Sequence, residues 1–271
     1  MIIDMHTHIW PDRIAGKTIE KLQSIAHIPA YTSGTIAGLK KSMKEAGVDY
    51  SVVLPVVTRP EQFDNVTRFA VQVNEEDNLI SFGGIHPADP YYKEHLKMIE
   101  ELRLPGIKLH PDYQGTFFDD SNYIHIIDYA MELGLAILVH AGVDIGLPDP
   151  VHCTPTHVMK IYNTLHLENY VDNKLILAHT GGYDCWQQVL EELAGTNLYL
   201  DMSYTLPFIE ESLLVQIIKA HGSNRMMFGT DSPWGDHTAT IEAIEKLPIS
   251  MLEKENILCN TARTVLGQAV R

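Results

Sequence analysis

Short β-branched runs alternate with longer, helically spaced stretches from one end of this chain to the other. The strand-like runs cover residues 2–6, 50–55, 79–85, 106–110, 136–140, 175–179, 198–201 and 226–229. Between them, segments such as "TIAGLKKSMKEAG", "NVTRFAVQVNEED", "NYIHIIDYAMELG", "CWQQVLEELAG" and "PFIEESLLVQIIKAHG" carry helical spacing with charges on one side. Several close on glycine (Gly47, Gly134, Gly195, Gly222), the residue that most readily ends a helix in the left-handed conformation. Two further helical stretches, around 238–247 and 251–266, follow the last strand. Strand–helix alternation predicts a parallel sheet. Eight such units in 271 residues predict an α/β fold of the (β/α)8 TIM-barrel type. A doubly wound open sheet shares the alternation, but no GxGxxG follows the first strand, and the polar strand ends are spread over the whole chain. With no linker or composition break, residues 1–271 read as a single barrel domain.

In such a barrel the C-terminal ends of the strands carry the chemistry. Here the first, fourth, fifth, sixth and eighth strands end in "DMHTHIW", "GIKLHPDYQ", "ILVHAG", "LILAHTGGY" and "MFGTDSPW". His6 and His8 are two apart, so a strand points both to one side, and Asp4 is expected on that side too. His140, His179 and Asp231 would complete four or five nitrogen and oxygen ligands. That set suits a divalent metal, zinc first, with manganese, iron, cobalt or nickel also compatible. Each residue has a plainer role as well. A strand-end histidine can be a hydrogen-bonded core residue, Asp231 can cap a helix, and so can His179. Five candidates at the ends of four strands favour the metal site over coincidence. Without cysteine it reads as a catalytic site with an open position, not a closed structural one.

Composition narrows the partners. Apolar residues make up 45% of the chain and charged residues 20%, a globular balance. The net charge of −15, without a basic run, argues against nucleic acid and anionic membranes as partners. No leader-like start and no long apolar stretch is visible. Three cysteines without CxxC spacing fit a reducing, cytoplasmic setting. A small-molecule substrate is left as the expected partner, and a homo-oligomer is expected only from the habits of barrels.

As a set, "DMHTH", "GIKLHP", "LVHAG", "LAHTGG" and "FGTDSPW", in this order, resemble the amidohydrolase superfamily over essentially the whole chain. The resemblance is to its amidohydrolase-2 branch of metal-dependent TIM-barrel hydrolases. It implies a metal held by His6, His8 and Asp231, joined by His140 in single-metal members. In two-metal members His140 and His179 hold a second ion, so one or two ions are expected. Lys108 would then bridge them as a lysine carboxylated by carbon dioxide. Its other reading is an ammonium that binds a substrate carboxylate or pairs with Asp201.

The first functional expectation is therefore a hydrolase that activates water to cleave an amide, ester or lactone bond of a small molecule. Asp231 would be ligand and general base, with Lys108 and His179 as catalytic partners; His179 would orient water or polarise a carbonyl. Asp4 would fix a histidine tautomer. The alternative is a decarboxylase of a small aromatic or unsaturated carboxylic acid, which some members of the branch are. It needs cations, for which Arg13, Arg59 and Lys108 are candidates, although the two arginines read first as solvated loop charges. A non-catalytic metal-binding barrel is the third reading. His110, His86 and Trp234 are expected to touch substrate. The loop "GVDIGLPDPVHCTPTH" should form part of the mouth, with His152 and Cys153 packed within it. Asp201 and Ser203 share one side of the seventh strand, behind the site.

Overall fold

In the computed structural model, which describes residues 1–270, the alternation closes into a barrel. The strands are β1 (Ile3–Thr7), β2 (Tyr50–Val53), β3 (Leu79–Ser81), β4 (Gly83–Gly84), β5 (Gly106–Leu109), β6 (Ala136–Val139), β7 (Leu175–Leu177), β8 (Tyr199–Asp201) and β9 (Met226–Met227). They pair in parallel in two runs, β1 to β3 and β4 to β9. The expected strand 79–85 is thus two pieces of one stave. Ser81 pairs with Val53 of β2, while Gly83 pairs with Ile107 of β5. The stave hands its hydrogen bonds from one neighbour to the other across Phe82, whose N–H donates to the Val53 carbonyl at 3.0 Å. The ring closes where the Met5 N–H donates to the Phe228 carbonyl (2.9 Å) and the Asp231 N–H to the His6 carbonyl (2.8 Å).

Alternation sorts the side chains into two layers. Ile107, Leu109, Ile137 and Val139 face outward into the core shared with the helices. Ala136, Leu138, Val52, Leu54, Ile176 and Met227 fill the interior, where the last helix, Thr261–Leu266, adds Ala262, Val265 and Leu266 as a stopper. Lys108, between two outward residues of β5, points inward and is fully buried.

Gly47 ends helix Ile36–Ala46 in the left-handed region, as its position predicted. Two expected helices are interrupted. The segment after Cys185 makes one α-turn, Trp186–Gln188, then a π-turn, Val189–Leu193. The stretch 251–266 breaks into Met251–Glu255, a π-turn Asn256–Asn260, and Thr261–Leu266. Each π-turn adds a residue to the helical repeat, which shifts the buried face. Among the described residues no helix is long and apolar enough to cross a membrane.

Candidate metal centre

The site begins with an irregularity in β1. Asp4 pairs with Ser51, but Thr7 pairs with Val53, so β1 spends one extra residue over that interval. Such a bulge re-aims the side chains that follow it. Ile3 and Met5 both pack in the barrel interior, yet His6 also reaches the cavity. Asp4 does not share its side, contrary to the expectation from strict alternation. Its carboxylate accepts from the Thr230 N–H (3.1 Å) and hydroxyl (2.5 Å) and pairs with His237 Nε2 at 3.0 Å. It anchors the loop that carries Asp231.

The structure brings His6, His8 and Asp231 to one point, with ligand atoms within 4.8 Å of one another. His6 Nε2 lies 3.1 Å from His8 Nε2. Asp231 Oδ1 is 3.3 Å from the first and 3.2 Å from the second. Asp231 holds a left-handed backbone, φ 62°, as does His179, φ 58°. That conformation costs a non-glycine residue on the order of 1–3 kcal/mol and recurs at functional sites. Asp231 caps no helix; the cap of His237–Lys246 is Asp236.

Hydrogen bonding fixes the tautomers and tests whether a metal fits. His8 Nδ1 donates to the Leu54 carbonyl (2.8 Å), and His6 Nδ1 donates to Asp201 Oδ2 (2.9 Å). Both Nε2 atoms are therefore bare when the rings are neutral. Burial, then the charge of Lys108, holds His6 well below the usual histidine range, despite the opposing pull of Asp231. Burial alone would raise Asp231, but when no ion is bound and the rings carry protons, the hydrogen bond from His8 and the charges of His6, His8 and His179 bring it down to about 2. Two imidazole nitrogens and a carboxylate face each other at about 3 Å, which repels unless a proton or a metal cation lies among them. Two nitrogens each about 2.1 Å from one ion span a similar distance. The residues fit a divalent ion.

Asp201, fully buried behind His6, does what had been expected of Asp4. Replacing it with asparagine keeps the shape but removes the charge that orients and enriches the imidazole. Asp201→Asn is expected to weaken metal affinity by roughly 10–100-fold, as read by chelator competition.

His140 and His179 lie beside this trio but face each other. His179 Nδ1 donates to the Ser203 carbonyl (2.9 Å), and its Nε2 accepts from His140 Nδ1 at 3.0 Å. His140 Nε2 is left buried without a hydrogen-bond partner, as is Asp112 Oδ2. A second trio, His110, His140 and Asp144, also gathers ligand atoms within 4.8 Å. However, the His110 and His140 rings are stacked face to face, 4.1 Å apart at 6°. Nearly parallel ring planes at that separation share no common point, so a second ion here would need one ring to turn.

Lys108 Nζ donates to His6 Nε2 at 3.2 Å. Burial brings it down to about 8, with Asp201 and Asp231 pulling the other way. Asp144, at the cavity wall, is pushed up to about 6 by burial and by Asp112.

Above the trio opens a cavity of about 810 Å³, lined by His110, Lys108, Trp234, His140 and His179 among others. His86 does not line it; its Nδ1 accepts from the Ala88 N–H at 3.0 Å. Arg59 is exposed and also lies elsewhere. Arg13 does line the cavity, from helix Asp12–Ala26 and not from a loop. The loop after β6 contributes Val143, Asp144, Ile145 and Gly146 to the lining. His152 is instead tied to Asp112 Oδ1 (3.0 Å), and Cys153 is fully buried. The sequence reading missed Tyr113 and Asp144, and the lysines Lys17 and Lys21 that follow Arg13 at helical spacing.

A closed parallel barrel with histidines, carboxylates and a lysine gathered at its C-terminal strand ends is the architecture of a barrel enzyme with a polar, ion-compatible site. The chain belongs to the amidohydrolase-2 family, whose model, described as Amidohydrolase, matches residues 3–268. No curated protein matches the sequence. Among solved structures, an uncharacterised TIM-barrel protein of Bordetella bronchiseptica superposes with TM-score 0.77 at 19% identity, covering 100% of this chain and 99% of that one. The 2,6-dihydroxybenzoate decarboxylase of Rhizobium gives 0.74 at 13%, covering 98% of each chain. A dihydroxybenzoic acid decarboxylase of a Polaromonas species, with bound manganese and the inhibitor 2-nitroresorcinol, gives 0.73 at 14%, covering 98% and 96%. At these identities the likeness shows the fold.

Proposed function

We propose that the protein is a metal-dependent lyase that decarboxylates a small aromatic or unsaturated carboxylic acid. The observation that carries this reading over hydrolysis is Lys108, a fully buried lysine whose Nζ lies 3.2 Å from His6 Nε2. Among the described residues it is drawn by Asp201 and Asp231 but forms no ion pair. A buried charge without a partner is costly, and a substrate carboxylate would supply one. The likeness to dihydroxybenzoate decarboxylases supports the same choice.

A divalent cation at His6, His8 and Asp231, manganese or zinc, would stabilise negative charge on the substrate's oxygens. Asp231 stays deprotonated across the neutral range and would hold that cation. Lys108 Nζ pairs with the carboxylate and orients it. Tyr113 and Tyr204, both pushed up, chiefly by burial, remain protonated phenols that can donate to an anion. The bond from ring carbon to carboxyl carbon breaks and its electron pair stays on the ring carbon. That carbon takes a proton, and carbon dioxide leaves. Asp144, pushed up to about 6 at the wall by burial and by Asp112, is the carboxyl suited to relay the proton. The test is to offer the metal-loaded protein a panel of hydroxybenzoates and unsaturated acids beside amides, esters and lactones. Carbon dioxide release from an acid is expected. Hydrolysis of a neutral ester, lactone or amide without decarboxylation of any acid would overturn the reading.

A further inference from the structure

Helix Asp12–Ala26 follows β1 and covers one side of the cavity mouth. Arg13, Lys17 and Lys21 recur at every fourth position, so they share one face, and all three line the cavity. At 1.5 Å per residue the row is about 12 Å long. The chain as a whole carries −15, and its paired lysines, such as Lys40, Lys41, Lys97, Lys160, Lys219 and Lys246, each have an acidic partner. No residue of the row is in an ion pair among the described residues. Three adjacent like charges left unpaired in an acidic protein repel one another, and an anion between them would relieve that.

The same cavity is lined by the apolar side chains Ile14, Leu22, Ile25, Val66 and Phe69. Ile14 and Ile25 are 42% and 47% exposed, which is unprofitable for isoleucine unless something covers it. The volume, about 810 Å³, lies toward the upper end of the roughly 300–1,000 Å³ of pockets for drug-sized ligands. A single-ring acid would leave most of it empty. The cavity thus carries cations from two separate elements, Lys108 on β5 and the row on the helix after β1, with a largely apolar lining besides.

We infer that the substrate is an elongated molecule with two anionic ends. The reacting carboxylate meets Lys108, and a second anionic group, carboxylate or phosphate-like, meets Arg13, Lys17 and Lys21 across an apolar body. The inference rests on the lyase reading for the inner end, while the outer row is read from its own geometry.

Calorimetric binding to the metal-loaded full chain, without turnover, tests it with rigid probes: biphenyl-4-carboxylate, biphenyl-4,4′-dicarboxylate and 4′-phosphonobiphenyl-4-carboxylate. At least one dianion is expected to bind about 10-fold or more tightly than the monoacid, and the larger gain names the outer group. In the double variant Lys17→Glu, Lys21→Glu the ratio should collapse to about one or below; both side chains are exposed, and retained metal content reports an intact barrel. Equal affinity for all three probes, no binding of any, or a preference that survives the double variant would overturn it. Because no chemistry is read, the result stands apart from the carbon dioxide assay: dianion preference without decarboxylation sinks the lyase alone.

Discussion

Asp231→Asn is expected to strip the metal from the protein and lower kcat/KM by roughly 10³-fold or more, beyond the 10–100-fold that follows from altering a partner one bond further out. The reason lies in the charge of the trio. As ligands His6 and His8 would offer uncharged nitrogens, so Asp231 is the sole anion among the three groups that meet at the floor. Asparagine keeps an oxygen near His6 and His8 but leaves a doubly charged ion with no counter-charge in contact. The fold should survive, because the Asp231 N–H to His6 carbonyl bond that closes the barrel belongs to the backbone. Elemental analysis after gel filtration, beside circular dichroism, checks both halves. A variant that keeps its metal and most of its activity would remove Asp231 from the proposed centre.

Lys108→Met has the second large effect, about 100-fold in kcat/KM for the acid substrate. Truncating one partner of a buried, hydrogen-bonded charge pair costs about 2–5 kcal/mol, and each 1.36 kcal/mol is about tenfold. The pH profile separates this role from a packing role. With no ion bound, burial brings Lys108 down to about 8, so the ammonium is present well below its pKa and is lost as pH rises through it. A cation on His6 beside it lowers that value further, so the wild-type kcat/KM should fall as pH rises through the lowered value, and Lys108→Met should lack that limb. Lys108→Arg, whose guanidinium stays charged past pH 12, should recover part of the rate without the limb. An identical alkaline limb in all three proteins would assign the titration to another group.

The staves were legible because burial on both faces writes a parallel strand as a short apolar run, and because His6, His8, His140, His179 and Asp231 each punctuate the end of one. The side on which Asp4 falls was not legible. One extra residue in β1 reverses the alternation, and nothing in "IIDMHTH" marks the bulge. The break in the third stave was hidden too, since it reflects a change of hydrogen-bonding partner at Phe82 and not a change of residue type. His86 and His110 look alike as strand-end histidines, but only the packing of their loops decides that His110 faces the cavity. The row Arg13, Lys17, Lys21 was readable as a basic helical face. That this face turns toward the cavity is tertiary information, and it makes Arg13 more than a solvated loop charge. The choice between water and carboxylate as the reacting partner turns on whether Lys108 stays a free amine, which its residue type leaves open.

Metal content per chain, measured by elemental analysis on protein purified without chelators and paired with intact mass under non-denaturing conditions, tests the centre most directly. One divalent ion bound by His6, His8 and Asp231, with Lys108 as a free ammonium, predicts one ion per chain and a mass with no addition on lysine. Two ions per chain with the mass excess of one carbon dioxide would contradict it and return Lys108 to the role of a bridging carbamate in a hydrolase.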